Sequence, residues 1–198
     1  PVWATKNQRG GFLDPDLTFS FINNFRYRNW QASVQIDGRL GGFIYNYQHS
    51  TMMLRGTALE SAVEGRRENP WIGNGDKVIS GEVIKDAYGN VVYDDRKYVP
   101  NDVPVKYYDW VQKYYGGVFE VNMYDNTFVK LREINIGYNF KFDWLRNVLK
   151  VNNLYVAIIG QNLWLYTNVP YTDPDKGCSD NGQGPSPRMF GFNVKLSF

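Results

Sequence analysis

The last eleven residues, 188–198, alternate strictly between apolar and polar side chains. A period of two over this length predicts a β-strand with one apolar face. A segment of this length also matches a tilted strand that crosses a bilayer, which takes about 9–11 residues. The apolar positions are Phe190, Phe192, Val194, Leu196 and Phe198, and the polar or small positions are Gly191, Asn193, Lys195 and Ser197.

Four earlier segments carry the same kind of pattern and predict strands at residues 17–28, 30–40, 127–140 and 153–166. The alternation is less regular in the last of these, where Gly160, Gln161 and Asn162 indicate a β-bulge. With 188–198, the sequence predicts five strands and an all-β fold.

The connections between these strands differ sharply in length. The turn at residues 28–29 and the segment 141–152 are short, whereas 41–126 and 167–187 are long. Alternating short turns and long loops are typical of outer-membrane barrels, in which the long loops are extracellular. For a single strand, a half-solvated strand of a soluble β-sandwich is the alternative interpretation.

Aromatic residues cluster at the strand ends beside the two short connections. Amphipathic rings are most stable at the level of the lipid headgroups, so this clustering predicts an aromatic girdle at one membrane interface. The residues are Phe25, Tyr27, Trp30, Tyr138, Phe140, Phe142, Trp144 and Phe198.

The polar faces of the strands carry too many charged and amide groups for a small closed core, because each unpaired buried group would cost several kcal/mol. A wide, water-filled lumen would accommodate them, which predicts a large barrel. The candidate lumen-facing residues are Gln35, Asp37, Arg39, Glu133, Asn135 and Lys195.

Composition removes other classes of protein. The chain is 43% hydrophobic and 17% aromatic, which excludes disorder, and its net charge of +2 gives no reason to expect nucleic acid. Cys178 has no second cysteine in the chain, and no apolar run is long enough for a membrane helix. The mean hydropathy of −0.47 fits either a soluble protein or a barrel with polar loops.

Five strands do not close a barrel, and an open sheet edge in lipid would leave unpaired backbone groups. We therefore expect this chain to be the C-terminal part of a longer one. Several segments resemble the C-terminal strands of the SusC/RagA family of TonB-linked outer-membrane transporters. They are LTFSFINNFRYRNW (17–30), DGRLGG (37–42), FVKLREINIGYNF (128–140), GQNLWLYT (160–167) and PRMFGFNVKLSF (187–198).

The resemblance implies a 22-stranded antiparallel barrel with an N-terminal plug, which this chain would lack. It also implies the outer membrane of a Gram-negative bacterium, a SusD-like lipoprotein partner, and TonB acting through the missing N-terminal part. The implied function is nutrient import of glycans or peptides, with no enzymatic activity and no cofactor. Phe198 matches the aromatic C-terminus by which many such barrels are recognised for assembly.

The 41–126 loop is long enough to have structure of its own. We expect a helix at 51–67 capped by Thr51 or Thr57, a hairpin around 86–90, and a helix at 105–115. The aromatic residues of the second helix could contact substrate or lid protein, or could simply pack the loop. They are Tyr107, Tyr108, Trp110, Tyr114 and Tyr115.

Other chemistry has little support. Asp173, Asp175 and Asp180 do not have the spacing of a calcium loop, and turn chemistry explains them better. His49 and Ser50 are adjacent, but a catalytic dyad requires geometry and an orienting acid. Glu133 has Lys130 and Arg132 nearby, which predicts ion pairing. The remaining alternatives are a soluble β-sandwich carbohydrate-binding module and, more remotely, an outer-membrane hydrolase.

Overall fold

The computed structural model describes residues 11–62, 70–177 and 184–198. The described residues form two compact units. Of the described residues, the sheet unit comprises 12–44, 124–177 and 184–198, and the loop unit comprises 11, 45–62 and 70–123.

The chain is mostly β-structure with short helices. Its strands are β1 Leu17–Tyr27, β2 Trp30–Leu40, β3 Phe43–Tyr45, β4 Asp76–Ser80, β5 Val83–Lys85, β6 Val91–Asp94, β7 Lys97–Pro100, β8 Met123–Asp125, β9 Phe128–Phe140, β10 Asn153–Thr167 and β11 Met189–Ser197. Its helices are α1 Tyr47–Arg55, α2 Tyr107–Tyr114 and α3 Asp143–Leu149, with 3-10 turns at Leu59–Ser61 and Phe119–Asn122.

The sheet unit is built on five antiparallel strands in the order β1-β2-β9-β10-β11. The prediction of five antiparallel strands is confirmed. Strands that follow each other along the sheet are joined by the two-residue turn after Tyr27, by the segment containing α3, and by the two long connections. Strands β3–β8 all fall within the first long connection and are not part of this sheet. Strand β2 therefore pairs directly with β9.

The register puts the polar and apolar side chains on opposite faces of this sheet. Gln35 pairs with Glu133, and Tyr155 pairs with both Asn139 and Lys195. The intervening positions pair apolar with apolar, such as Val34 with Ile134. Because strand residues alternate between faces, one face is almost wholly apolar and the other is polar.

Two bulges at the same level interrupt the alternation. Between Gln35 and Ile36 the pairing on β9 jumps from Glu133 to Leu131, so Arg132 is an extra residue. In β10 the pairing jumps from Gln161 to Trp164, which confirms the predicted irregularity. A bulge changes which residues point to each face. Beyond it, the even-numbered Lys130 pairs with Asp37 on the polar face.

The two ends of the sheet differ as the connection lengths predict. The turn after β1 and the α3 segment lie at one end, and the long connections leave from the other. At the short-turn end, Trp30 lies edge-on to Tyr138 at 4.9 Å, Tyr138 contacts Phe140 at 4.7 Å, and Phe140 stacks on Phe142 at 5.7 Å. The sequence did not predict α3 in this short connection.

The loop unit has a small core of its own, made by Met53, Ala58, Tyr107 and Val111. Its second predicted helix is confirmed as α2, and the predicted hairpin is the antiparallel pair β5 and β6. Strands β4 and β7 pair as well.

The position predicted for the first helix was wrong. Helix α1 begins at Tyr47 rather than at 51, because the side chain of Asn46 accepts a hydrogen bond from the His49 amide at 2.9 Å and caps it. It ends at Gly56, which has the left-handed backbone (φ 71°) that glycine adopts without strain. Residues 63–67 of the predicted helix lie outside the described residues.

Candidate functional site

The polar face of the sheet brings together the six side chains predicted to face a lumen. Gln35, Asp37 and Arg39 follow one another along β2 at every second position. Glu133 and Asn135 of β9 pair with Gln35 and Ser33 of β2. The sixth residue, Lys195, lies on the same face of β11.

Asp37 is the acceptor at the centre of a polar network. Its carboxylate accepts hydrogen bonds from Ser20 Oγ at 2.7 Å, Gln35 Nε2 at 3.1 Å and Arg132 Nε at 2.7 Å. Arg132 also donates through Nη1 to Asp175 at 2.8 Å. One guanidinium therefore links the middle of the sheet to the connection that follows β10.

Lys130 anchors the same connection from a buried position. Its Nζ donates to Asp173 Oδ2 at 2.6 Å and to Ser186 Oγ at 2.8 Å, with Asp175 Oδ2 at 3.5 Å. The side chains of Lys130 and Asp173 are only 2% and 1% exposed. Charges this far from water are tolerated only when they are paired and hydrogen-bonded.

The electrostatics of Asp173 follow from these contacts. Burial by itself would raise the pKa of its carboxyl, but hydrogen bonds from Lys130 and Ser186 and the charge of Lys130 outweigh that effect and lower the pKa. The carboxyl is therefore ionised at neutral pH and holds the connection against the polar face.

The sequence did not predict that Lys130, Arg132, Asp173 and Asp175 form one group. The two cations precede their aspartate partners by 43 residues. The bulge that turns Lys130 onto the polar face leaves only a weak sign in the sequence, the polar run Arg132-Glu133. The expected pairing of Glu133 with its cationic neighbours is wrong. Among the described residues, both cations pair with aspartates, and Glu133 accepts a hydrogen bond from Gln161 Nε2 at 2.9 Å.

The carboxylates after β10 behave as turn residues. Asp173 Oδ1 accepts from the Asp175 amide at 3.2 Å, and its backbone carbonyl accepts from the Lys176 amide at 3.0 Å. The cations facing Asp173 and Asp175 are Lys130 and Arg132. Within the described ranges no group of three metal-ligating side chains occurs, and Asp180 lies outside them.

The five aromatic candidates of the loop unit divide into packed and exposed rings. Tyr107 is buried and lies edge-on to Trp71 at 5.3 Å. Trp110 stacks on Tyr114 at 4.6 Å, and Tyr115 meets Tyr114 edge-on at 5.2 Å. These contacts fit the packing interpretation, whereas Tyr108 is 65% exposed. Trp71, which joins the group, was not predicted.

His49 and Ser50 do not form a catalytic dyad. Ser50 Oγ donates to the backbone carbonyl of Tyr115 at 3.0 Å, and His49 Nε2 lies 3.9 Å from the carboxylate of Glu60. Burial lowers the pKa of His49, and the charge of Glu60 acts in the opposite direction. The Ser50 hydroxyl therefore donates its hydrogen bond to a backbone carbonyl and not to His49.

The apolar face of the sheet carries large exposed hydrophobic side chains. Phe21 is 60% exposed and Phe192 is 81% exposed. Phe198 follows β11 and is also exposed. No helix within the described residues is long and apolar enough to cross a membrane. Other exposed members of this face include Phe25, Trp30, Ile136, Ile158, Phe190, Val194 and Leu196.

The chain is similar in sequence to a TonB-dependent receptor. No family model matches the chain. The chain is 27% identical to the TonB-dependent receptor P3 of Formosa agariphila over an alignment that covers 93% of this chain and 16% of the receptor.

Two solved structures share the fold. They show the RagAB peptide importer in its closed-closed state, with a TM-score of 0.55, and in its open-open state, with a TM-score of 0.52. Each is 14% identical to this chain and covers 95% of it, while the chain covers 18% of the importer chain. The chain thus spans less than a fifth of the length of the proteins it matches.

Proposed function

We propose that this chain, which is a SusC/RagA-like segment of a TonB-dependent transporter, forms part of the barrel wall of an outer-membrane importer. The observation that carries the proposal is the division of the sheet into two faces. One face exposes large apolar side chains along every strand, and the other carries the Asp37–Arg132–Lys130 network.

The apolar face is suited to lipid. Soluble monomers rarely expose a contiguous apolar patch larger than a few hundred Å², and such a patch marks a protein or membrane contact. Here Phe19, Phe21 and Phe25 of β1 lie on the same face as Phe190 and Phe192 of β11, at opposite edges of the sheet. A face that is apolar from edge to edge fits the outer surface of a transmembrane barrel.

The polar face fits the interior of such a barrel. Charged side chains on the lipid side are costly, whereas an aqueous lumen or a plug can solvate or pair them. The connection after β10 folds against this face through Asp173 and Asp175. In the importer, we expect this connection to lie at the extracellular end of the barrel, with part of it inside the lumen.

The remaining parts of the proposal concern the whole transporter. We propose that it takes up oligosaccharides or peptides together with a SusD-like lipoprotein, powered by TonB through an N-terminal part that lies outside this chain. The name of the RagAB peptide importer supports a transport function over catalysis. The commitment of Ser50 to a backbone carbonyl also argues against the hydrolase alternative.

Solubility separates this proposal from the soluble β-sandwich module. We expect residues 1–198 expressed alone to be insoluble in plain buffer, because the apolar face and the edges of β1 and β11 lack their neighbours. The full-length protein should fold in detergent and fractionate with the outer membrane. A monomeric, cooperatively unfolding product from residues 1–198 in buffer would overturn the proposal.

A further inference from the structure

The loop unit contains a cleft of about 410 Å³ between the end of α1 and the beginning of α2. Its volume is within the range of small-ligand pockets, about 300–1,000 Å³. Met53 and Val111 form a buried apolar floor together with the ring of Tyr107. Leu54 and the exposed Tyr108 complete the apolar wall.

Two cationic side chains line the same cleft. Arg55 is the last residue of α1, and Lys106 immediately precedes α2. Both are exposed, and within the described residues neither forms an ion pair. The acidic residues nearest to these cations in the sequence are Asp109 of α2 and Glu60 of the 3-10 turn, the latter beside His49.

Lys106 occupies a position that helix formation does not explain. It is the N-cap of α2 and makes no capping hydrogen bond through its side chain. A positive charge at a helix N-terminus opposes the helix dipole, and serine, threonine, aspartate and asparagine are the favoured caps. A residue that breaks a local rule without a structural gain is typical of a functional position.

We propose that this cleft binds the C-terminus of a peptide that ends in an apolar residue. The carboxylate lies between Lys106 and Arg55, and the last side chain enters the slot above Met53 and Val111. This inference rests on the proposed function, since it names a class of substrate for the importer.

The shape of the cleft favours a peptide over a glycan. Sugar rings bind on exposed aromatic platforms, but the rings of Trp71, Trp110, Tyr114 and Tyr115 are engaged with one another. Only Tyr108 of the aromatic candidates presents an exposed ring to the cleft. An apolar floor with two cations at its rim fits a carboxylate that is attached to an apolar side chain.

The test uses the full-length transporter purified in detergent and calorimetric titration with three probes. The probes are acetyl-Ala-Ala-Leu with a free carboxylate, the same peptide as its C-terminal amide, and a glucuronate disaccharide. The free acid should bind about tenfold more tightly than the amide, as expected for a charge-assisted hydrogen bond. Equal binding of acid and amide, or stronger binding of the disaccharide, would overturn the inference.

Two variants connect the preference to the cleft. Lys106→Ser and Arg55→Gln should each reduce the acid-over-amide preference at least severalfold, and Lys106→Ser should not destabilise α2 because serine is a better cap. Lys113→Gln, which removes an exposed cation of the same helix outside the cleft, is the matched control and should keep the preference. A preference that survives both cleft variants contradicts the inference.

Failure of the subsite and failure of the proposed function give different results. If the transporter fractionates with the outer membrane and its deletion abolishes uptake of a nutrient, the function stands whatever the peptides do. If the protein is soluble or its deletion changes no uptake, the proposed function fails, even where the acid peptide binds.

Discussion

Lys130 and Asp173 place opposite charges where almost no water reaches them. Their ion pair is hydrogen-bonded on the lysine side by Ser186 as well. Replacing both members of such a pair by neutral groups is often tolerated, whereas removing one member leaves an uncompensated buried charge. The packing of the connection after β10 against the sheet therefore depends on both residues.

The first prediction is a double-mutant cycle on this pair. Asp173→Asn and Lys130→Met should each destabilise the packed connection by about 3–5 kcal/mol, and the double variant by clearly less than the sum. The measurement is the rate of tryptic cleavage after Lys176 in the full-length transporter. Asp143→Asn, at an exposed carboxylate of α3, is the control.

Single variants that are cleaved as slowly as the wild type would show that the pair does not hold the connection. A double variant as sensitive as the sum of the single variants would show that the two residues act independently.

His49 is the single histidine of the chain and is buried in the loop unit. Burial lowers its pKa from the usual 6.5, with Glu60 opposing the shift. An unfolded loop takes up a proton near the usual value, and the folded loop only at lower pH. The contribution of His49 to the free energy of unfolding is therefore complete above the usual pKa and decreases as the pH falls below it.

The second prediction follows from this sign. Hydrogen exchange of the α1 amides in the full-length protein, corrected for intrinsic rates, should show less protection at about pH 5.5 than at about pH 7.5. His49→Gln should remove most of the difference. Equal pH dependence in both proteins would mean that another group controls the stability of α1.

At the scale of elements, the strands were predictable because their faces differ in environment. The alternation in 188–198 and 30–40 predicts one apolar and one polar side for each strand, and the register confirms this prediction. The bulge at Arg132 was not predictable, because the extra residue is defined by its pairing with β2. Local alternation carries no information about a partner strand distant in sequence.

The loop unit shows a second limit of sequence reasoning. Thr51 is a good cap in isolation, but Asn46 caps α1 with its side chain. The backbone N–H of Asn46 also donates a hydrogen bond to the Asn122 carbonyl at 2.8 Å. That contact joins residues far apart in the sequence, so local propensity did not locate the helix start. In the same way, Trp71 joins the aromatic cluster through its backbone pairing with Val105.

The third prediction tests the two faces of one element. Val194 and Asn193 are neighbours in β11 on opposite faces. Val194→Lys should cost about 2–4 kcal/mol if its position lies near the middle of the bilayer, whereas Asn193→Lys faces the polar side and should cost much less. The measurement is the fraction of full-length protein recovered in the outer membrane in its heat-modifiable, folded form. Equal recovery of both variants would contradict the assignment of faces.

At the scale of the whole molecule, the chain spans only a small part of the proteins that it matches. It covers 16% of the receptor and 18% of the importer chain that it matches. In the sheet, β1 and β11 each have one neighbour, so each presents an edge for a further strand. In lipid those backbone groups must be paired, which makes folding of the segment dependent on the rest of the barrel.

The fourth prediction concerns assembly. Phe198 is exposed and directly follows β11. If it serves as the aromatic recognition residue, Phe198→Ala should strongly reduce the amount of full-length protein in the outer membrane, and Phe198→Tyr should preserve it. Normal surface levels of the alanine variant would show that Phe198 is one more apolar residue of the strand.

The central claim is that one face of this sheet meets lipid and the other meets water. Its most direct test is a nitroxide scan of β11, with single cysteines at each position from 190 to 197 in the full-length protein reconstituted in bilayers. We predict that accessibility to oxygen alternates with a period of two and is highest at Phe192 and Val194, while a water-soluble nickel complex reaches Asn193 and Lys195. Equal access of the nickel complex to both sets of positions would contradict the account.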